Sequence, residues 1–247
     1  MDFRRIEEAA LNAWPAVSQI TYDGWVLRFA NGYTKRANSV NPIYPAKIEM
    51  QKKIEHCERV YNRRGLSPIF RLIEPFESSD LDSALAERGY EKFHPTRVMG
   101  LDLNALDSTN SKKGILMKHR LNPWLKIFSL LSGYSPEKQP LHKKILENIP
   151  TTPLFVSSEI SGQPTTCGLG VLQDELIGLF DIVTHPEYRN QGIGTQLVRE
   201  MLNWGQEQGA EQAYLQVMES NMPARHLYTK LGFQDLYRYW YRVPKSA

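Results

Sequence analysis

The chain has 247 residues, of which 41% are hydrophobic and 23% charged, and its formal net charge is +3. This length exceeds one typical domain of about 100–150 residues, so one large or two small domains are expected. The small net charge does not indicate a nucleic-acid-binding protein, and no apolar run approaches the roughly 20 residues of a membrane span.

The first residues and the cysteines indicate the compartment. Met1 to Arg5 lack the apolar core of a signal peptide. Only Cys57 and Cys167 occur, and neither has a neighbouring Cys or His in a zinc-binding pattern. We therefore expect a cytoplasmic protein without a metal, in which both thiols are free and packed in the interior.

In the first part of the chain the pattern predicts a helix over Ile48–Arg64 and an apolar strand over Ile69–Ile73. Further along, the polar stretch Asp107–Asn110 is typical of an interdomain linker. This composition divides the chain into two predicted units, residues 1–106 and residues 113–247.

The second unit alternates helices and strands. Its pattern predicts helices from Asn122 to Gly133 and over Leu141–Ile149, Thr195–Gln208 and Pro223–Leu231, with strands at Ile115–Lys118, Pro153–Ser158, Thr166–Leu172, Ile177–Thr184, Ala213–Met218 and Asp235–Val243. Asn122 can cap the first of these helices, Pro123 suits its first turn, and Gly133 ends it.

A glycine loop joins the strand Ile177–Thr184 to the helix that begins near Thr195. Its sequence is Arg189-Asn190-Gln191-Gly192-Ile193-Gly194. Backbone N–H groups of such a loop converge with the positive end of the following helix, and together they suit a diphosphate. Gly192 and Gly194 allow a close approach because neither has a Cβ atom. The loop lacks the third glycine of a dinucleotide-binding loop and the Gly-Lys-Ser/Thr of a P-loop.

A second motif lies downstream, at Leu215-Gln216-Val217-Met218-Glu219-Ser220-Asn221, and is followed by Leu227-Tyr228 and Leu231-Gly232-Phe233. Together with the glycine loop and the strand end Thr184-His185-Pro186-Glu187-Tyr188, this motif resembles those of the GNAT superfamily of N-acetyltransferases. The resemblance implies an α/β fold with a mixed, mostly antiparallel sheet flanked by helices. It also implies acetyl-CoA as co-substrate and no metal.

The resemblance assigns roles to particular residues. In this family the strand before the glycine loop separates from its neighbour and holds the pantetheine arm through its backbone, which here implies Ile182, Val183 and Thr184. The diphosphate would lie on Arg189, Asn190, Gln191, Gly192, Ile193, Gly194 and Thr195. Asn221 would contact the cofactor near its pantetheine arm, a role compatible with capping the next helix. Tyr228 would act as general acid and give a proton to the departing thiolate.

The general base stays open at this point. Family members that acetylate protein N-termini often carry Glu at the position of Gln216, and an amide cannot accept the amine proton. This difference weakens an assignment as a ribosomal-protein or N-terminal acetylase. Asp181 and Glu219 are the nearby carboxylates, and either could act directly or through water.

The first unit resembles a degenerate copy of the later part of the second unit. Val40 to Tyr44 is similar to Thr184 to Tyr188, and Arg88 to Tyr90 is similar to Leu231 to Phe233, at nearly equal spacing. The first copy has Pro45-Ala46-Lys47 in place of the glycine loop, and Leu85 in place of Tyr228. We therefore expect one active site, in residues 113–247.

These observations predict a tandem acetyltransferase that moves an acetyl group from acetyl-CoA to a primary amine by direct attack. A non-catalytic CoA-binding protein that regulates or recruits a partner is the alternative, and a different acyl donor is a third possibility. The acceptor, a small-molecule or a protein amine, is not encoded in any motif. Neither nucleic acid nor membrane is expected as a partner, and a homodimer is left open.

Overall fold

The computed structural model describes residues 2–74, 76, 79–106, 117–135 and 137–245. Its helices are α1 (Phe3–Ala13), α2 (Met50–Asn62), α3 (Ser79–Glu87), α4 (Leu121–Ser132), α5 (Gln139–Glu147), α6 (Ile193–Glu207) and α7 (Met222–Lys230). Its strands are β1 (Ser18–Tyr22), β2 (Trp25–Phe29), β3 (Val40–Pro42), β4 (Phe70–Ile73), β5 (Tyr90–Asp102), β6 (Met117–His119), β7 (Thr152–Ile160), β8 (Gln163–Gln173), β9 (Leu176–Thr184), β10 (Gln212–Met218) and β11 (Gln234–Pro244). The predicted linker at Asp107–Asn110 and the first residues of the strand predicted at Ile115 lie outside the described residues.

Within the described residues, eleven strands form one sheet in the order β1-β2-β3-β4-β11-β5-β10-β9-β8-β7-β6. β3 is parallel to β4 and β9 is parallel to β10, whereas the other neighbouring strands are antiparallel. This arrangement confirms the predicted fold class, a mixed and mostly antiparallel sheet flanked by helices.

The last strand of each half lies beside strands of the other half. β5, which ends the first half, pairs with β10 of the second half. β11, which ends the second half, lies between β4 and β5 and pairs with both of them. Backbone hydrogen bonds therefore join the two predicted units into a single sheet.

The helices bury their apolar sides against this sheet in three clusters. α1, α4 and α5 contribute to one cluster, α6 and α7 to a second, and α2 and α3 to a third. Burial of one such large apolar side chain stabilises the fold by about 1.5–3 kcal/mol. Cys57 and Cys167 are buried and free, as predicted. No helix in the described part of the chain is long and apolar enough to cross a bilayer.

Two helix starts differ from the prediction. Arg120 is the N-cap of α4 and provides no side-chain hydrogen bond, so the prediction of an Asn122 cap is wrong. The helix begins earlier because Pro123 is tolerated anywhere in the first turn, where N–H groups have no helical partner. Gly133 ends α4 with a φ of +64°, as predicted. α6 begins at Ile193 instead of Thr195, so the helix N-terminus lies within the glycine loop.

Candidate active site

The parallel strands β9 and β10 separate halfway along their length. Residues Gln212–Leu215 of β10 pair with Leu176–Leu179 of β9. Beyond these residues β9 continues alongside β8, and β10 continues alongside β5. A gap therefore opens between Phe180–Thr184 and Gln216–Met218, at the place where the sequence predicts the pantetheine arm.

A β-bulge in β9 lies at this gap. Between the pairs Cys167–Val183 and Leu169–Phe180 the register shifts, so Asp181 and Ile182 together face Gly168. Asp181 has a φ of +48°, a left-handed conformation that Asp tolerates better than most residues. A bulge of this kind leaves backbone groups of the bulged strand without a ladder partner.

The glycine loop presents an open helix N-terminus. Gly192 is the N-cap of α6, has a φ of +80°, and no side chain caps the first turn. The first N–H groups of α6 therefore lack helical partners. A Cβ built on Gly194 would lie 3.0 Å from Thr184 Oγ1, so α6 begins in close contact with the end of β9. Open donors at the positive end of a helix attract an anion.

Two side chains of the loop donate hydrogen bonds to backbone carbonyl groups of the segment that precedes it. Arg189 donates through Nε to the carbonyl oxygen of Thr184 at 3.2 Å. Gln191 donates through Nε2 to the carbonyl oxygen of Glu187 at 2.8 Å. These bonds fix the loop through its side chains, while the N–H groups at the start of α6 remain available.

Tyr228 lies on α7 and is buried. Its ring contacts Phe233 edge-on, with 5.9 Å between the ring centroids. Burial raises the pKa of Tyr228 to about 12, and its hydroxyl forms no hydrogen bond within the described residues. The phenol therefore keeps its proton at neutral pH and has it free to donate. Nearby, Asn221 caps α7 by accepting from the N–H of Ala224 at 3.3 Å.

Asp181 lies against a buried histidine that the sequence did not indicate as part of the site. His142 Nε2 and Asp181 Oδ2 are 2.9 Å apart, so His142 donates to the carboxylate. The imidazole is enclosed by rings, including Phe128 at 4.9 Å and Tyr134 at 5.7 Å between centroids. This contact fixes one oxygen of Asp181, and only the folding of α5 onto β9 brings the two residues together.

The other candidate base has a different partner. Glu219 forms an ion pair with Arg97 at 2.8 Å, and Gln216 accepts a hydrogen bond from the Tyr239 hydroxyl at 3.2 Å. No group of three His, Cys, Asp or Glu among the described residues is arranged to hold a metal ion. Among the described residues Asp181 forms no ion pair with Arg or Lys, whereas Glu219 pairs with Arg97.

A cavity of about 790 Å³ lies between the two halves and reaches the gap. Residues of the first half line it from Asn31 to Arg36, and Tyr134, Asp181 and Gln216 line it from the second half. Asp181 is the only carboxylate among the described residues that line this cavity. An amine in the cavity can therefore approach the gap beside a carboxylate.

Two family models match the chain. Residues 124–233 match the acetyltransferase (GNAT) family, and residues 1–143 match the family described as probable histone acetyltransferase Rv0428c C-terminal. Over 250 residues, which cover 99% of each chain, the sequence is 34% identical to the uncharacterized N-acetyltransferase YobR of Bacillus subtilis (strain 168). The chain belongs to the GNAT superfamily of N-acetyltransferases. It is therefore an acyl-transferring enzyme of a family that uses acetyl-CoA, as predicted.

Solved GNAT structures show the same fold. A GCN5-related N-acetyltransferase from Kribbella flavida has a TM-score of 0.76 at 14% identity, with 99% of this chain and 96% of that chain covered. A tandem GNAT protein from the clavulanic acid biosynthesis pathway has a TM-score of 0.65 at 12% identity, with 85% and 76% covered. The likeness to these GNAT proteins extends over both halves of the sheet.

Proposed function

We propose that this enzyme transfers an acetyl group from acetyl-CoA to a primary amine at one site, in the predicted unit of residues 113–247. The observation that carries the proposal is the open N-terminus of α6, which begins at the end of β9 where β9 and β10 have separated. An anion-binding helix end beside a gap between strands suits a ligand with a diphosphate and a long, thin arm.

In this proposal the diphosphate lies on Arg189–Thr195 and the pantetheine arm lies along Ile182–Thr184. Support comes from the open N–H groups after Gly192 and from the loss of β10 as a neighbour beyond Leu179. Asn221 lies at the start of α7 and contacts the arm through atoms not used in its cap.

The acceptor nitrogen attacks the thioester carbonyl carbon, so a C–N bond forms and the C–S bond breaks. Asp181 accepts the proton that the amine loses, and Tyr228 gives its proton to the departing thiolate. A backbone N–H of the bulge polarises the carbonyl oxygen. His142 is a positioning residue, because it holds Asp181 without touching the acceptor.

The same proposal includes a tandem origin of the two halves and a cytoplasmic location. Each half contains a parallel strand pair followed by a strand from the other half. Counted from the β1 edge of the sheet this order is β3-β4-β11, and counted from the β6 edge it is β9-β10-β5. This correspondence supports duplication, because unrelated domains would not be expected to share it.

Calorimetric titration of acetyl-CoA tests the cofactor site. We expect saturable one-to-one binding to the wild type and weakening by about 100-fold or more in Gly192→Glu, whose carboxylate repels the diphosphate. Gly89→Glu is the matched control, because Gly89 has a φ of +83° and, like Gly192, has open space around its Cβ position. Absence of binding in the wild type, or equal weakening in both variants, would reject the proposed site.

A further inference from the structure

The cavity between the halves has opposite charges on its lining. Asp181 provides the carboxylate, whereas Lys35 and Arg36 provide cations from the loop Asn31–Asn38 of the first half. The proposed reaction uses Asp181 but gives no role to these cations. Their place in the acceptor cavity suggests that they contact a part of the acceptor other than its amine.

Within the part of the chain that the structure describes, no acidic side chain neutralises the charge of Arg36. It takes part in no ion pair of the described residues. Its Nε is buried without a hydrogen-bond partner. Its guanidinium lies 5.2 Å from the ring centroid of Trp14 and 5.8 Å from that of Phe180. A buried donor without a partner is costly. An anion bound beside Arg36 would supply the missing acceptor and neutralise the guanidinium.

Hydrogen bonds fix the loop that carries Arg36. Asn38 is buried and accepts through Oδ1 from the N–H of Ala30 at 3.1 Å and of Gly32 at 3.3 Å. Thr34 accepts through Oγ1 from Trp14 Nε1 at 3.3 Å. The backbone that carries Arg36 is therefore fixed before any ligand binds, which reduces the entropy lost on binding.

Arg36 and Asp181 lie on the same part of the cavity wall. Phe180, whose ring contacts Arg36, is next to Asp181 in the chain. Tyr33 lies near both charges: burial and Tyr134 raise its pKa most, Asp181 adds to the rise, and Arg36 opposes it. The rings of Tyr33 and Tyr134 meet edge-on at 6.1 Å. One small molecule can therefore reach the carboxylate and the guanidinium together.

We infer that the acceptor is an amino carboxylate, a small molecule that carries both the reacting amine and a carboxylate. Its neutral amine approaches Asp181, which takes the one proton lost on attack, among the aromatic rings that line the cavity. Its carboxylate binds the planar guanidinium of Arg36, whose donors match the two oxygens. A lysine side chain within a protein has no carboxylate of its own to offer. This inference rests on the proposed function, because the amine must lose its proton to Asp181.

Matched pairs of acceptors test the inference. Each proteinogenic amino acid is compared with its decarboxylated amine, for example L-phenylalanine with phenethylamine, at a fixed concentration of acetyl-CoA, with the product measured by mass spectrometry. We expect kcat/KM in the wild type to favour at least one amino acid over its amine by about tenfold or more, as expected for a charge-assisted contact.

Two variants assign the preference to Arg36. Arg36→Gln should bring the ratio of kcat/KM within a pair close to one, chiefly through a higher KM for the amino acid. Arg64→Gln is the control, because Arg64 also stacks on a ring, that of Phe29 at 4.3 Å, but does not line the cavity. Because both acceptors of a pair are measured on the same preparation, the ratio of their kcat/KM values does not depend on the fraction of folded enzyme.

Three outcomes would overturn the inference: no amino acid is acetylated, the decarboxylated amine is used equally well, or Arg36→Gln keeps the wild-type preference. Calorimetry separates these failures from a failure of the proposed function. Acetyl-CoA binding together with transfer to amines that lack a carboxylate would overturn the acceptor class alone. Absence of acetyl-CoA binding would reject the proposed function as well.

Discussion

The connection from β9 to α6 and the connection from β3 to α2 hold corresponding places in the two halves, but only the first leaves its backbone donors open. After β9, no side chain caps the first turn of α6. After β3, the Asp23 carboxylate accepts from the N–H of Lys47 at 3.0 Å and from the N–H of Ile48 at 2.8 Å. The first half thus places its own carboxylate where the second half is proposed to bind a diphosphate.

The residues around Asp23 hold this substitute anion in place. Lys53, on α2, is 1% exposed and forms an ion pair with Asp23 at 3.1 Å. A Cβ on Gly24 would lie 2.4 Å from the carbonyl oxygen of Pro45, so only glycine lets the β1–β2 turn approach the loop. A strand-to-helix connection of this kind can therefore serve stability or ligand binding, depending on which anion fills it.

Separating the two halves would remove the strand neighbours that each half provides to the other. We expect residues 113–247 expressed alone to be unfolded or aggregated, because β10 and β11 would lose β5 as their neighbour. Expression together with residues 1–106 should restore a complex, since the exchanged strands supply the missing backbone hydrogen bonds. Co-purification through a tag on one fragment, followed by circular dichroism, measures this outcome. A fragment 113–247 that folds alone and binds acetyl-CoA as the intact chain does would contradict it.

Tyr228→Phe tests the residue that the first half lacks. We expect kcat to fall about 100- to 1,000-fold, the usual contribution of general acid catalysis, while the Kd for acetyl-CoA stays within about twofold of wild type. Steady-state kinetics and calorimetry on the same preparation measure both quantities.

The control is Tyr90→Phe, which removes a phenol that donates to Glu58 in the first half and should leave kcat unchanged. The pKa of Tyr228, raised to about 12 by burial, gives a second check. The acid form predominates below that value, so kcat should show no alkaline fall up to about pH 10, the ordinary pKa of tyrosine. A fall near that pH that disappears in Tyr228→Phe would contradict the raised pKa. Equal turnover in the wild type and in Tyr228→Phe would contradict the role as acid.

The sequence predicted the positions of the helices and strands better than it predicted which strands pair in the sheet. Hydrophobic periodicity located most strands within one to three residues, but it could not show that β11 lies between β4 and β5, because pairing is decided by the whole sheet. A local sequence motif pointed to Gly192. The sequence did not indicate His142, since α5 must fold onto β9 before the imidazole meets Asp181. It also did not indicate Asp23, whose role depends on a contact between distant segments.

Asp181→Asn addresses the proposed base. We expect kcat/KM for the acceptor to fall about 10- to 100-fold. This is less than the fall expected for Tyr228→Phe, because water can accept the amine proton when the carboxylate is absent. Asn tolerates the left-handed backbone at this position, so the bulge should persist. Glu219→Gln is the matched control: its carboxylate already pairs with Arg97, and a fall larger than that of Asp181→Asn would reassign the base.

Asp23→Asn gives the smallest expected effect, on stability alone. The backbone N–H of Ile48 chiefly lowers the pKa of Asp23, and Lys53 and Lys47 add to this. A carboxylate with a lowered folded-state pKa stabilises the fold above its unfolded pKa of about 3.9, and this contribution is lost as the pH falls through the folded value. We therefore expect the variant to melt several degrees below wild type at neutral pH, with the difference shrinking in acid.

Thermal unfolding followed by circular dichroism over a pH series measures this difference. Asp102→Asn is the control, because Asp102 also accepts from a backbone N–H, that of Asn104 at 3.0 Å, but forms no ion pair with a lysine among the described residues. Equal and pH-independent losses in both variants would contradict the role of the Asp23–Lys53 pair. Calorimetry on Asp23→Asn should still give one acetyl-CoA per chain, because removal of the internal anion leaves Pro45 and Ala46 where the second half has its glycines. A second binding event would mean that the carboxylate alone had kept the first half from binding the cofactor.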